Sequence, residues 1–219
     1  MDKHITKTEL LSSVDNTKKS YLLIKRTFDI VMSFIGILVS SPVLLLIALL
    51  VAVYDGNGKP IFVQTRIGKN GKEFRMLKFR TMRPDAEKEY EKLASIDPDK
   101  DIAHKLRNDP RITRIGRFLR RTSLDELPQL WNILRGDMSF VGPRPPLPSE
   151  VDQYNDYQRL RLIVRPGLTC IWQVQPHRND ISFEEWIQMD FHYIMKRNII
   201  LDLKIILKTF IVMLHGEGV

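Results

Sequence analysis

The distribution of hydrophobic and polar residues divides the chain into three parts. Residues 1–20 are polar and without periodicity, which is typical of a mobile tail or a short surface helix. Residues 30–53 then run for 24 positions without a charge. A helix of that length measures about 36 Å and can cross a hydrocarbon core of roughly 30 Å. We therefore predict an N-terminal tail at 1–20, a membrane segment at 21–55 and a domain at 56–219.

Two features of the apolar segment favour a re-entrant helix over a simple spanning helix. Pro42 lies next to Ser41 at the midpoint, where proline bends or breaks a helix and the serine hydroxyl can bond a carbonyl that the bend leaves free. Basic residues flank the segment on both sides, whereas the positive-inside rule places a basic flank in the cytoplasm. A helix that turns at Ser41-Pro42 and returns to the same membrane face satisfies both features. A kinked spanning helix is the alternative.

The rest of the pattern predicts an α+β, mainly α, domain that carries one small β-hairpin. Asn70-Gly71 is a strong hairpin signal between two runs rich in β-branched and aromatic residues, which predicts strands at 61–67 and 73–79. The run "GPRPPLP" at 142–148 predicts a stiff, extended turn. Helices are predicted from apolar spacing and punctuation over residues 85–94, 149–163, 183–197 and 198–216. The last of these is either a core helix or an amphipathic helix on a lipid surface.

The charge of the chain indicates its class of partner, and its cysteine content indicates its compartment. The net charge of +8 and the isoelectric point near 9.6 indicate an anionic partner, which can be nucleic acid, anionic lipid or a phosphorylated substrate. The single cysteine, Cys170, excludes an intramolecular disulfide, fits a reducing compartment and is expected to be a small buried residue.

Two adjacent carboxylates, Asp125 and Glu126, stand out in the segment "RRTSLDELPQLWNILRGDMSFVGPRP" at 120–145. Ser123 and Glu126 have the spacing of a capping box, which predicts a helix that begins at Leu124. Its predicted buried face consists of Leu127, Leu130, Trp131 and Leu134. Acidic residues in a first helical turn are ordinary helix-start chemistry, so the pair alone does not indicate a site.

The cations around the acid pair change that interpretation. The segment and its approach contain Arg111, Arg114, Arg117, Arg120, Arg121, Arg135 and Arg144. Guanidinium groups bind phosphate oxygens, and the prolines on either side of Arg144 fix its backbone. Magnesium can bridge carboxylate and phosphate oxygens, and a carboxylate can also attack phosphorus. Lys78 and Arg80 in "LKFRTM", together with Arg165 before Pro166, are further candidates for phosphate binding.

Five blocks in a fixed order resemble the bacterial sugar transferase family, the monotopic polyprenyl-phosphate hexose-1-phosphate (phosphoglycosyl) transferases. They are "LIKRTFDIVMSFIGILVSSPVLLLIALLV", "PIFVQTRIGKNGKEFRMLKFRTM", "RRTSLDELPQLWNILRGDMSFVGPRP", "RPGLT" and "LDLKIILKT". The resemblance runs from about residue 20 to the C-terminus and is to the small members that consist of the catalytic domain. It implies a helical domain on the cytoplasmic face of the bacterial inner membrane, mounted on a re-entrant helix that turns at Ser41-Pro42.

The resemblance also implies a reaction and its residues. A sugar 1-phosphate passes from a UDP-sugar donor to a polyprenyl (undecaprenyl) phosphate, and UMP is released. Asp125 and Glu126 match the catalytic pair: Asp125 carries the phospho-sugar covalently and binds magnesium (Mg2+), while Glu126 is a base or a metal aid. Arg120 and Arg144 match positions that face the substrate phosphates. The product enters exopolysaccharide, capsule, O-antigen or other glycan assembly, in which downstream glycosyltransferases are potential partners.

Two other functions, nucleic-acid or adaptor binding and glycoside hydrolysis, would need different arrangements of these charged residues. A membrane-bound basic adaptor or nucleic-acid binder would need cations interleaved with exposed aromatic residues, whereas these cations surround carboxylates and prolines. We therefore expect no nucleic-acid partner. A glycosidase needs two carboxylates about 5–10 Å apart across a sugar, and neighbours on one turn face different directions. Cys170 stands where many members of the family have glycine, so the identity of the sugar is left open.

Overall fold

The computed structural model describes residues 5–54, 59–83, 86, 109–176 and 180–214. The helices described are α1 (Lys7–Asp15), α2 (Lys19–Tyr54), α3 (Arg114–Arg121), α4 (Gln129–Arg135), α5 (Pro148–Asp152), α6 (Phe183–Lys196) and α7 (Ile199–Leu214). The strands described are β1 (Ile61–Ile67), β2 (Glu73–Phe79), β3 (Ser139–Val141) and β4 (Gly167–Thr169). Short 3-10 turns are formed by Lys69–Gly71, Leu124–Glu126, Gln158–Ile163 and Trp172–Val174. The predicted mainly helical α+β class is confirmed.

The N-terminal helix α1 lies within the segment predicted as a polar tail. Thr6 and Glu9 form a reciprocal capping box at its start. Leu10 is fully buried and packs in the main core cluster with Ile187 and Phe191 of α6. Burial of Leu10, with Ile5 and Val14 packed against the same cluster, holds this segment against the domain.

The apolar segment forms one continuous helix, α2, which is long and apolar enough to cross a membrane by length and composition. The helix continues through Pro42. Proline cannot donate to the carbonyl of Leu38, and the Ser41 hydroxyl donates to that carbonyl instead at 2.8 Å. The Ser40 hydroxyl donates to the carbonyl of Gly36 at 2.6 Å. These bonds explain why the backbone is not interrupted at Ser41-Pro42, and the re-entrant course stays a prediction.

One stripe of α2 contacts the rest of the domain along most of its length. The residues of this stripe recur every three or four positions and include Asp29, Ser33, Ile37, Leu44, Ile47 and Val51. Near the start of the apolar stretch, Asp29 accepts hydrogen bonds from Ser139 and the N–H of Phe140. Near its end, Ile47 and Val51 pack with Phe79 of β2 and Leu119 of α3. Both halves of the apolar helix therefore lie against the same domain.

The predicted hairpin is confirmed with the predicted bounds. β1 and β2 pair antiparallel from Ile61↔Phe79 to Ile67↔Glu73. Asn70 and Gly71 between them have φ values of 58° and 76°, the left-handed region that these two residue types tolerate best. A second sheet, which the sequence pattern did not predict, consists of the parallel pair β3 and β4.

The helices predicted over 183–197 and 198–216 agree with α6 and α7, and the helix predicted over 149–163 does not agree with the structure. α6 covers most of 183–197 and begins with a capping box between Ser182 and Glu185. The single helix predicted over 149–163 is wrong, because it divides into α5 and the 3-10 turn Gln158–Ile163. Asn155 and Gln158 bond each other's backbone N–H groups with their side chains, and these local bonds compete with a continuous helix. The extended run at 142–148 is present until Pro148, which begins α5. The helix predicted over 85–94 lies outside the described residues, except for Ala86.

The last helix, α7, exposes an apolar face and buries a carboxylate. Its exposed apolar residues are Ile200, Leu203, Leu207, Phe210 and Ile211. Asp202 on the opposite face accepts hydrogen bonds from Tyr193 at 2.8 Å and from Tyr21 and Lys25 of α2 at 3.0 Å. This exposure pattern favours the amphipathic alternative over a core helix. The hydrogen bonds from Tyr21 and Lys25 to Asp202 join α7 to α2.

Candidate active site

The acid pair lies in a turn between α3 and α4. Ser123 has left-handed backbone with a φ of 55°, and its N–H bonds the carbonyl of Arg120 at 3.1 Å, which ends α3. Its side chain makes no capping hydrogen bond, so the predicted capping box with Glu126 and the helix start at Leu124 are wrong. An N-cap residue needs extended backbone, and Ser123 is already used in the turn after α3. Asp125 and Glu126 instead occupy a 3-10 turn, and α4 begins at Gln129.

The later start of α4 also changes its buried face. Leu130 is buried as predicted, but Trp131 is 49% exposed, and Ile133 takes the fully buried position. Asn132 is also buried, and its side chain donates to the carbonyl of Arg75 at 2.8 Å and accepts from the N–H of Leu77 at 3.0 Å. This amide fixes the turn and α4 against strand β2.

The carboxyl group of Asp125 is buried and hard to ionise. Its pKa is raised to about 6: burial is the largest cause and the neighbouring carboxylate of Glu126 the next, while Lys78 and Arg120 act in the opposite direction. A carboxyl group with a pKa near neutrality, held among other charged groups, is typical of functional sites. Asp125 is thus ionised at neutral pH, but in surroundings that stabilise the charge poorly.

Lys78 of β2 reaches the second carboxylate of the pair. Its ammonium group lies 2.8 Å from Glu126 Oε1, and both side chains remain partly exposed. Arg80 follows two residues later, so its side chain leaves the chain on the same face as Lys78. Its Nε is buried and has no hydrogen-bond partner among the residues that the structure describes. The end of β2 therefore places Lys78 beside the acid pair, and the roles of Lys78 and Arg80 in phosphate binding stay predictions.

Arg120 approaches Asp125 from α3. Its Nε donates to the hydroxyl of Thr81 at 2.9 Å. Burial lowers the pKa of Arg120, and the carboxylates of Asp125 and Asp109 act in the opposite direction. Thr81 is a positioning residue that sequence reasoning missed, because a threonine after a strand gives no signal of its own. Its role depends on the close approach of α3, where Gly116 lies against the Thr81 backbone.

Arg144 is held in a second cluster. It lies 3.3 Å from both carboxylate oxygens of Glu150, which in turn accepts from the N–H of Leu147 at 2.7 Å. The backbone carbonyl of Arg144 accepts from Arg161, whose guanidinium is paired with the buried Asp190. The "GPRPP" turn thus presents Arg144 from a rigid, internally bonded support.

Comparison with known proteins identifies the family of the chain. The family model described as bacterial sugar transferase matches residues 20–216, which is most of the chain. The chain belongs to the bacterial sugar transferase family. The resemblance inferred from the five sequence blocks is therefore confirmed.

Several curated members of the bacterial sugar transferase family are similar over most of the chain. The galactosyl transferase CpsE of Streptococcus agalactiae is 44% identical over 92% of this chain and 44% of its own length. The undecaprenyl-phosphate galactose phosphotransferase of Salmonella typhimurium is 42% identical over 92% of this chain and 42% of its own length. The exopolysaccharide production protein ExoY of Rhizobium meliloti is 43% identical over 84% of this chain and 83% of its own length. The chain thus spans less than half of the first two relatives and most of the third.

One predicted site residue of this family member lies elsewhere. Burial lowers the pKa of Arg165, as does the charge of Arg26, while Asp29 and Asp137 act in the opposite direction. These neighbours place Arg165 beside α2 and the start of β3, and no described contact brings it to the acid pair. Its predicted role in phosphate binding stays a prediction.

Proposed function

We propose that the chain transfers a sugar 1-phosphate from a UDP-sugar to a polyprenyl phosphate such as undecaprenyl phosphate. The observation that carries the proposal is the buried, poorly stabilised carboxyl group of Asp125 beside Glu126, with Lys78 and Arg120 next to it. The relative in Escherichia coli named UDP-glucose:undecaprenyl-phosphate glucose-1-phosphate transferase, 39% identical over 85% of this chain, supports the donor and acceptor classes. The lipid-linked product would serve glycosyltransferases that extend it into exopolysaccharide, capsule or a related glycan.

The proposed reaction has two displacements at one phosphorus atom. In the first, a carboxylate oxygen of Asp125 attacks the phosphorus attached to the sugar, the bond from that phosphorus to the bridging oxygen breaks, and UMP leaves. In the second, a phosphate oxygen of the polyprenyl phosphate attacks the same phosphorus. The bond to Asp125 breaks, and polyprenyl-diphosphate-sugar is released with the carboxylate restored. The covalent intermediate divides one difficult transfer into two easier steps.

The neighbouring charges have distinct roles in this scheme. Burial disfavours the charge of the Asp125 carboxylate, so it favours a state in which the carboxyl oxygen is esterified and no longer carries that charge. Arg120 and Lys78 favour negative charge that develops on the phosphoryl oxygens. Glu126, paired with Lys78, is suited to accept a proton or to bind a metal ion.

A magnesium ion fits this donor set only as part of a complex with the substrate. Among the residues that the structure describes, no group of three or more His, Cys, Asp or Glu could hold a metal ion by itself. Mg2+ often binds through one or two carboxylates together with substrate phosphates, and Asp125 with Glu126 supplies that number. When bound there, the ion would neutralise charge on the diphosphate.

The decisive experiment looks for the covalent intermediate directly. Purified protein is mixed with magnesium and a panel of UDP-sugars, with the polyprenyl phosphate withheld, and is analysed by intact and peptide mass spectrometry. We expect an added mass of one hexose or N-acetylhexosamine phosphate on the peptide that contains Asp125. A preparation that transfers sugar phosphate when lipid is added, yet never carries this adduct in its absence, would contradict the proposed chemistry. The donor that gives the adduct also identifies the sugar.

A second prediction concerns the membrane topology of α2. We propose that the helix enters and leaves the same, cytoplasmic, face of the inner membrane, because both of its halves pack on one domain. Lys19→Cys and Lys59→Cys, each made in a Cys170→Ala background, place single thiols at the two exposed flanks. We expect a membrane-impermeant maleimide to label both sites in inside-out vesicles and neither in intact spheroplasts.

The control for this experiment is the native thiol. Cys170 is buried, and burial raises the pKa of its thiol, so it should react slowly from either side. Labelling of the two flanks from opposite sides of the membrane would show that α2 spans the bilayer.

A further inference from the structure

Arg66 on β1 is a buried guanidinium with an unusual set of partners. Its side chain bonds only uncharged groups: Nε and Nη2 donate to Gln64 Oε1 at 3.1 and 2.7 Å, and Nη1 donates to the carbonyl of Pro145 at 3.0 Å. Arginine has five N–H groups, so two of them have no described partner. The residue is nevertheless only 8% exposed.

The other two buried arginines of the described chain are each neutralised. Arg111 bonds the carboxylate of Asp109, and Arg161 bonds that of Asp190, both at 2.8 Å through Nε. Within the described residues, no carboxylate lies within 4.0 Å of Arg66. Burial of a charge without a counter-ion is costly, so buried charges in proteins are usually paired.

The surroundings of Arg66 indicate the charge of that ligand. The pKa of Arg66 is lowered to about 10: burial is the largest cause and the guanidinium of Arg144 the next, while the carboxylates of Glu150 and Glu126 act in the opposite direction. Glu150 is bonded by Arg144, and Glu126 is paired with Lys78. Both nearby carboxylates are thus engaged by other cations, and two guanidinium groups stand close together with a deficit of negative charge.

Strand geometry places Arg66 on the side of the hairpin that faces the acid pair. In the antiparallel register, Arg66 lies opposite Phe74, and Lys78 lies opposite Phe62, so these residues share one face of the sheet. The bond from Arg66 to the carbonyl of Pro145 brings the same guanidinium to the turn that carries Arg144. Arg66 therefore lies between the Glu126–Lys78 pair and Arg144.

We propose that Arg66 is a ligand of the diphosphate of the donor, acting together with Arg144. The inference rests on the proposed function and extends it with a residue that the sequence analysis did not assign to the site. Gln64 orients the guanidinium through two of its N–H groups, and the remaining N–H groups bind phosphate oxygen. The diphosphate would supply the counter-ion that the folded protein lacks.

The test compares Arg66→Met with Arg75→Met, a matched change at an exposed arginine of the same hairpin. Both variants are assayed for UMP release with the UDP-sugar that supports turnover, and for the rise in melting temperature caused by UDP with excess magnesium. We expect Arg66→Met to lower kcat/KM for the donor by about 10- to 100-fold, mainly through KM, and to lose most of the UDP-induced shift. Arg75→Met should behave like the wild type.

The Arg66→Met/Arg144→Met double variant distinguishes binding from positioning. If Arg66 contacts the anion itself, the double variant loses more affinity for UDP than Arg144→Met alone. Equal losses would show that Arg66 acts only through the Pro145 turn, and the ligand assignment would be wrong. If Arg66→Met does not fold, as judged by circular dichroism, Arg66→Lys takes its place, because lysine keeps the charge but lacks the planar fork that bonds Gln64 and phosphate in fixed directions.

The outcomes separate this inference from the proposed function. Wild-type kcat/KM and UDP binding in the folded Arg66 variant would overturn the inference while the transferase activity stands. Wild-type protein that binds UDP but transfers no sugar phosphate would overturn the proposed reaction, and the UDP shift would still test Arg66.

Discussion

Asp125→Asn is expected to lower the rate of UMP release by at least about 10³-fold, because the amide cannot attack phosphorus or carry the phosphoryl group. The change preserves the size of the side chain in its buried position, so the turn that carries it should remain folded. The rate is measured from UMP formed with saturating donor, magnesium and polyprenyl phosphate. Asp152→Asn, at an exposed carboxylate of α5, is the matched control and should retain wild-type turnover.

The same substitution should stabilise the protein at alkaline pH. The pKa of Asp125 in the folded protein is about 6, above the ordinary value of 3.8, so protonation favours the folded state. The associated stability is complete below pH 4 and is lost as pH rises through 6. Since one pKa unit corresponds to about 1.4 kcal/mol, the cost of the ionised carboxylate above pH 7 approaches roughly 3 kcal/mol. We expect Asp125→Asn to unfold at a higher temperature than the wild type at pH 8, with the difference shrinking towards pH 4.

These two results together test the assignment of Asp125. Loss of turnover with a gain in stability is the pattern of a residue held in a costly state for function. A variant that is destabilised at pH 8 would mean that the carboxylate stabilises the fold. Full turnover by Asp125→Asn would exclude it as the nucleophile.

Gly116→Ala is expected to destabilise the protein by about 3 kcal/mol or more and to impair the active site at the same time. An added Cβ would lie 2.0 Å from the carbonyl oxygen of Thr81 and 2.7 Å from two further backbone atoms of that residue. Backbone atoms cannot rotate away, so α3 must move away from the end of β2. This movement would disrupt the bond from Thr113 N–H to Thr81 (3.0 Å) and the bond from Arg120 to the Thr81 hydroxyl (2.9 Å).

Urea denaturation and the kcat for UMP release check this prediction. Gly36→Ala is the control, because its Cβ would meet only the end of the Leu130 side chain at 3.2 Å. Alanine also has the higher helix propensity, by about 1 kcal/mol, so Gly36→Ala should change stability by no more than about that amount. Stability of Gly116→Ala equal to that of the control would show that α3 can move without loss.

Features encoded by neighbouring residues were predictable from the sequence. The hairpin follows from Asn70-Gly71, whose left-handed φ values are intrinsic to these residue types, and its bounds agree with the structure. The start of α6 follows from the capping box of Ser182 and Glu185, which needs only four consecutive positions. The acid pair was found because its arginines lie close to it in sequence.

Features that depend on distant residues were not predictable. The spacing of Ser123 and Glu126 satisfies a capping rule. In the structure, however, Ser123 adopts a left-handed backbone conformation in the turn that ends α3. The parallel pair of β3 and β4 joins Ser139 to Gly167, and three-residue strands leave no periodicity to detect. Thr81 and Arg66 acquire their roles only when other elements fold against them, and their residue types alone do not indicate those roles.

The buried carboxylate of Asp202 has a consequence for the order of folding during synthesis. Its partners Tyr21 and Lys25 precede it by 181 and 177 residues. Translation therefore delivers α2 to the ribosomal exit long before the residue that completes this cluster. The apolar helix is therefore available to lipid before the cluster can form. The hydroxyl of Tyr21 and the ammonium of Lys25 can bond Asp202 only after nearly the whole domain has been synthesised.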